Sequence, residues 1–163
     1  AYLNTGRMAE AEKELATLST LVNKLNEGQP GYKNFEDAGG LLSIAEQVVR
    51  GEMEAKKDNY DMALFHLGRA VRMEDSLAYN EPPSWYFPTR HILGAILIDA
   101  ERPVEAEVVY WEDLKHNPEN AYSLYGMYQS LAAQGKDDQA ADFMTRYEAM
   151  WANSDVKLAS SRY

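Results

Sequence analysis

One short pattern occurs four times in this chain, and it limits the fold more than any other feature. A turn-forming residue stands five positions before an alanine: Gly6 before Ala11, Asp58 before Ala63, Glu101 before Ala106 and Gly135 before Ala140. The segments are GRMAEA, DNYDMA, ERPVEA and GKDDQA. Each alanine opens a stretch with apolar residues at helical spacing, and each turn residue closes the stretch before it. Between Arg90 and Pro118 the unit is complete. Leu93, Gly94, Leu97 and Ile98 form one stripe, Glu101-Arg102-Pro103 interrupts it, and Ala106, Val109, Tyr110 and Leu114 form a second. The small alanine lets a neighbouring helix approach closely. Two amphipathic helices cannot bury their faces alone, so such pairs must stack. The expected fold is all-α, a right-handed superhelical solenoid of antiparallel helix pairs forming a single domain over residues 1–163.

The intervals place the irregularities. Ala106 and Ala140 are 34 residues apart and Ala63 and Ala106 are 43 apart, which calls for a nine-residue insertion, expected within Glu74 to Pro88. Ala11 and Ala63 are 52 apart, so one connection between them is long. Ala9 to Leu25 reads as a sustained helix ended by Glu27-Gly28-Gln29-Pro30-Gly31, and Phe35 to Lys57 reads as another, interrupted near Gly39-Gly40. The chain therefore parses into about three and a half repeats: a half repeat over 1–34, a repeat over 35–80, the insertion plus a repeat over 81–118, and a repeat with a C-terminal cap over 119–163. Ala1 to Thr5 read as the end of a helix that begins earlier, as in the C-terminal part of a longer protein. In the insertion, Ser84 is expected to cap a helix starting at Trp85, with Pro88 in its first turn.

Charge and composition narrow the partners. A formal charge of -10 disfavours a phosphate backbone and favours a basic or neutral peptide. No apolar run approaches the ~20 residues that span a bilayer, so no membrane insertion is expected. The chain has no cysteine, so disulfides, thiolate metal sites and a cysteine nucleophile are excluded, while cytoplasm and periplasm both remain open. There is no Gly-x-Ser-x-Gly, no glycine-rich phosphate loop and no pair of acids isolated among apolar residues. His66, His91 and His116 lack the spacing of metal ligands on one helix face. The reading is a non-enzyme without metal or cofactor.

Gly94, Ala106, Tyr110 and Pro118 together carry a resemblance to the tetratricopeptide repeat family, whose signature is a first-helix glycine, a second-helix alanine and aromatic, and a closing proline. A second copy keeps Gly51, Ala63, Leu67 and Ala70 but has Asp75 in place of the proline. A third keeps Gly135 and Ala140, with Tyr128 in the glycine slot. The stretch from Tyr79 to Gly94, with its EPPSWYFPTRHILG core, further resembles a subgroup of bacterial tetratricopeptide proteins, as do Ser123-Leu124-Tyr125-Gly126 and the closing Ser160-Ser161-Arg162-Tyr163. The resemblance implies a binding scaffold and no enzymatic activity.

In such a solenoid the first helices line a concave groove. The register places Val48, Glu52 and Lys56 there from one copy, His91, Ala95 and Ile98 from the next, and Tyr122, Tyr125 and Gln129 from the last. A protein or peptide partner in that groove is the leading reading. The Lys and Asn with which some family members clamp a terminal carboxylate are replaced here by Val48, Glu52, Ile92, Tyr122 and Gly126. A second reading is a small-molecule or ion pocket at Glu81, Trp85, Tyr86, Arg90 and His91, where a Glu81 contact to Arg90 or His91 either ties the loop to its helix or presents a polar pocket. A third is a structural or self-associating segment. Trp85 is expected as a lid over the hydrophobic seam and Tyr86 as the more exposed aromatic. Tyr122, Tyr125 and Tyr128 read as a helical stripe, and Met53, Met62, Met73 and Met127 as seam filler.

Overall fold

A computed structural model describes residues 1–27 and 38–162, and in it the recurrence of sequence is a recurrence of backbone. Gly6, Asp58, Glu101 and Gly135 all lie in the left-handed region, with φ of 73°, 57°, 58° and 71°. The amide of the next residue bonds back to a carbonyl five residues earlier: Arg7 to Tyr2 at 3.0 Å, Asn59 to Glu54 at 2.9 Å, Arg102 to Leu97 at 2.8 Å and Lys136 to Leu131 at 3.0 Å. This is the closing bond of a Schellman turn, and it satisfies carbonyls that the ending helix leaves without a partner. The four residues that donate it also cap the following helix. Their carbonyls accept from Ala11, Ala63, Ala106 and Ala140 at 2.9 to 3.1 Å. The five-residue spacing thus has a direct cause: one residue of left-handed turn, one of cap, then a first helical hydrogen bond at the alanine.

All the regular structure among the described residues is helical, in two compact units, Ala1–Thr89 and Arg90–Tyr163. In the first, a short 3-10 turn at Leu3–Thr5 precedes α1 (Met8–Asn26), α2 (Ala38–Ala55) and α3 (Tyr60–Asp75). Ala11, Leu15 and Met53 form a small core with Tyr2, Leu3, Met8 and Val49 around it. Ile44, Ala63, Leu67 and Ala70 are fully buried. A Cβ at Gly51 of α2 would stand 2.6 Å from Leu67 Cγ, so the two helices meet at van der Waals contact there. Polar contacts join α1 to α2. Glu46 Oε1 accepts from Ser19 Oγ at 2.6 Å and from Arg50 at 2.8 Å. Burial pushes the Glu46 carboxyl up, but these hydrogen bonds outweigh it and hold it below the usual range.

Two expectations for this unit are corrected. The glycine pair does not interrupt a helix: Gly39 and Gly40 are buried within the first turn of α2. Phe35 and the long connection it belongs to lie outside the described residues. Nor does a helix start at Trp85. The next helix begins at Thr89, because Pro82, Pro83 and Pro88 each bias the preceding residue away from helical backbone. Its start is capped from α3 instead of by Ser84, with the Thr89 amide donating to Glu74 Oε2 at 2.8 Å.

The second unit holds α4 (Thr89–Asp99, whose first residue closes the first unit), α5 (Pro103–His116), α6 (Ala121–Ala132) and α7 (Asp137–Trp151). Pro103 opens α5 where an amide would have no intrahelical acceptor. Asn120 caps α6 by accepting from the Tyr122 amide at 3.0 Å. Tyr110 of α5 is fully buried. A Cβ on Gly94 of α4 would come within 2.8 Å of Tyr110 Cε2, and one on Gly126 of α6 within 2.6 Å of the same atom. One ring therefore fills the space left by two glycines. Tyr128 holds the glycine slot by register, but the glycine that α6 turns to α5 is Gly126.

Two of the four turns carry a side chain at the left-handed position, which costs about 1–2 kcal/mol relative to glycine before glycine's own entropy is subtracted. Glu101→Gly is accordingly expected to raise stability by about 0.5–1 kcal/mol. Thermal unfolding of the variant beside Gly135→Ala, which should move the midpoint the other way, checks both signs.

Candidate functional site

The second unit concentrates its polar and aromatic groups at one place, and the base of that place is buried. His91 of α4, Asp113 of α5 and Ser123 of α6 are nearly or fully inaccessible. Asp113 Oδ2 receives His91 Nε2 at 3.0 Å and Ser123 Oγ at 2.6 Å, while its Oδ1 accepts from Asn117 Nδ2 at 3.0 Å. Burial alone would raise the Asp113 carboxyl. The contacts from His91, Ser123 and Asn117 prevail and lower it below the ordinary aspartate value. Ser123 gives its proton to the carboxylate and not to the imidazole, so the trio lacks the order of a nucleophile triad. Its role is to join three helices.

A second buried chain of hydroxyls runs beside it. Ser161 Oγ donates to the His91 carbonyl at 2.7 Å and shares a 2.6 Å hydrogen bond with the Tyr110 hydroxyl. Serine has one proton, so Tyr110 is the donor to Ser161. Burial raises the Tyr110 hydroxyl far above its usual range, and it stays protonated at any physiological pH.

Over this base lies an aromatic face. Tyr122 stacks on His91 with centroids 5.6 Å apart and meets Trp151 edge-on at 5.6 Å. Tyr125 packs against Tyr147 at 5.0 Å and Tyr128 at 5.8 Å, and Tyr147 stacks on Trp151 at 6.0 Å. Burial, with neighbouring Tyr128 and Tyr147, pushes the Tyr125 hydroxyl up. Next to this face is a cavity of about 440 Å³, walled by Tyr125, Met144, Tyr147 and Trp151 on one side and by Val156 and Leu158 on the other. Residues 152–162 follow α7 without helix or strand. They are held by side chains: Trp151 Nε1 donates to the Val156 carbonyl at 2.6 Å, Gln129 Nε2 to the Ala159 carbonyl at 3.2 Å, and Arg162 Nη2 to Asp99 Oδ2 at 2.6 Å.

The residues singled out from the sequence divide accordingly. His91, Tyr122, Tyr125 and Gln129 come together at this one place, although His91, at 1% exposure, lies inside it and not on an open face. Glu52 is half-buried on α2 and Lys56 is exposed just after it, both in the first unit. In the insertion, Tyr86 is 81% exposed and Trp85 is half-buried with an inaccessible indole nitrogen. Glu81 is exposed and its carboxylate accepts from the Tyr79 hydroxyl two residues away, while Arg90 is half-buried in the first turn of α4. Among the described residues no three His, Asp or Glu side chains converge as a metal site would require. His66 and His116 hold local contacts, with Gln47 Oε1 at 2.8 Å and the Glu112 carbonyl at 2.9 Å. Met53 and Met127 are buried, but Met62 is 42% exposed.

Sequence reasoning missed Trp151, Tyr147 and the segment after α7. The signal available was the apolar spacing of Tyr147 and Trp151, one helical turn apart. It also missed Trp111, which is 52% exposed beside Val108 and Phe143 at a cavity of about 400 Å³. Compared with known proteins, the chain matches no protein-family model, no curated protein and no solved structure.

Proposed function

We propose that this chain is a protein-interaction scaffold of the tetratricopeptide kind, a solenoid of helix pairs that takes an extended segment of a partner against the face formed by Tyr125 and Gln129 of α6. One observation carries the reading. This face already holds a piece of polypeptide that is neither helix nor strand, and does so by donating side-chain hydrogen bonds to its main-chain carbonyls, from Gln129 to Ala159 and from Trp151 to Val156. Main-chain recognition supplies affinity for any extended segment, and adjoining pockets choose among side chains. The aromatic walls suit that task, because tyrosine and tryptophan offer large contact area with few rotatable bonds to order. The repeated turns support the family reading, since they repeat one helix-to-helix connection within a single chain, and Gly51 and Gly94 each face a side chain of the helix that follows, Leu67 and Tyr110.

The test separates binding from folding. Tyr125 is half-buried at the rim of the cavity, so Tyr125→Ala is expected to lower the melting midpoint by only a few degrees while weakening capture of a partner segment about tenfold or more. Screening an array of extended peptides against parent and variant, with thermal unfolding alongside, checks this. An array hit that ignores Tyr125 places recognition elsewhere.

A further inference from the structure

We infer that residues 156–162 are an internal ligand of the α6 face, and that the partner displacing them carries the same chemistry in a segment without helix or strand: an aliphatic or aromatic residue, then three positions on a serine, then an arginine. The inference rests on the reading of α6 as a partner-binding face. The segment is Val156-Lys157-Leu158-Ala159-Ser160-Ser161-Arg162, and each of its contacts is of a kind that a separate peptide can make. Leu158 faces the aromatic walls of the cavity. The carbonyls of Val156 and Ala159 take the donors of Trp151 and Gln129. Ser161 enters a slot between the Tyr110 hydroxyl and the His91 carbonyl and is fully buried there. Arg162, with its side chain 17% exposed, pairs with Asp99 at 2.6 Å. The receiving groups come from α4, α5, α6 and the end of α7. The segment brings no helix or strand of its own, so its order depends on these groups.

Two features make it exchangeable. The cavity of about 440 Å³ between Leu158 and the aromatic walls remains open, so the internal segment fills its own site incompletely and a larger side chain gains area that leucine leaves exposed. Four residues, 152–155, tether the segment to α7, and a short tether holds an internal ligand at an effective concentration on the order of millimolar. A free partner therefore meets a competitor, and weakening the internal contacts raises its apparent affinity without any change in the face itself.

The experiment uses the full chain and a labelled synthetic peptide, Ser-Asp-Val-Lys-Leu-Ala-Ser-Ser-Arg, the sequence of 154–162. Binding is measured by fluorescence anisotropy to the parent and to a Leu158→Ala, Arg162→Glu double variant. Both substitutions lie at the edge of the unit and leave the buried hydroxyls in place. The Trp151 indole N–H resonance, assigned with Trp151→Phe, reports whether the internal segment is docked. The expected result is a shifted indole resonance in the variant, peptide affinity about tenfold higher for the variant than for the parent, a further gain when the peptide carries phenylalanine at its leucine, and loss when its arginine becomes glutamate. An unmoved indole resonance with no peptide binding overturns the inference, because the segment is then a fixed part of the unit. A released segment with equal peptide binding by parent and variant overturns it as well. Should unrelated array peptides bind parent and variant equally through Tyr125, the inference fails and the scaffold reading stands.

Discussion

Gly126→Ala is expected to destabilise the protein by about 2 kcal/mol, although it replaces the poorest ordinary helix former with the best. Helix propensity alone favours the change by about 1 kcal/mol. Overpacking opposes it with about 1–3 kcal/mol or more, and here the upper end applies. The added methyl would stand within 2.6 Å of Tyr110 Cε2, and the ring has nowhere to retreat, since Gly94 closes its other side within 2.8 Å of the same position. Its hydroxyl is also fixed to Ser161. At ~2–4 °C per kcal/mol for a chain of this size, the midpoint should fall by about 4–8 °C. Gly68→Ala supplies the contrast. Its nearest neighbour would be the flexible end of Arg72 at 3.5 Å, so the same chemical change should raise stability. Tyr110→Leu added to Gly126→Ala should recover much of the loss, because leucine is what the first unit uses opposite Gly51. If both alanines shift the midpoint upward, the ring is not held between two helices as described.

Asp113→Ala is expected to have a larger effect, about 3–5 kcal/mol. The substitution removes one partner from each of three groups, and His91 and Ser123 would be left in an interior that water does not reach. Asp113→Asn should cost less, since the amide keeps the shape and one acceptor. The network also fixes a pH dependence. The Asp113 carboxyl is lowered below its ordinary value of 3.8, so the unfolded chain takes up a proton more readily than the folded one. Its contribution is complete above about pH 5 and is lost progressively as pH falls through the unfolded and then the folded value. Denaturant unfolding from pH 7 down to about 3 should show a decline in the parent that is reduced in Asp113→Asn. A parallel decline in both would mean that other carboxylates govern acid unfolding.

Local chemistry was legible in the sequence wherever one residue type carries a backbone or packing demand. The turn-to-alanine spacing fixed the helix boundaries at all four Schellman turns, including two where aspartate and glutamate occupy a position that composition alone assigns to glycine. The glycine opposite an aromatic was readable at Gly94 because it lies twelve residues before Ala106, as Gly51 lies before Ala63. Gly126 was not, since it serves the preceding aromatic and breaks that count. The start of α4 was misread because its cap comes from Glu74, fifteen residues away, and a nearby serine looked sufficient. At the site, the tyrosine stripe of α6 was visible as periodicity. The pairing of His91 with Asp113 and of Ser161 with Tyr110 was not, because separations of 22 and 51 residues leave no periodic trace.

The four Schellman turns also bear on how the chain acquires its structure. Each is closed by hydrogen bonds spanning only a few residues, so its formation requires little loop-closure entropy and no other part of the chain. Among these four turns, glycine at the left-handed position is expected to make those at Gly6 and Gly135 locally more stable than those at Asp58 and Glu101, and therefore earlier to form. Exchanging glycine between Gly135 and Glu101 would then move the earliest-protected amides from the α6–α7 hairpin to the α4–α5 hairpin, a change of route that pulsed hydrogen exchange reads and the finished structure does not show.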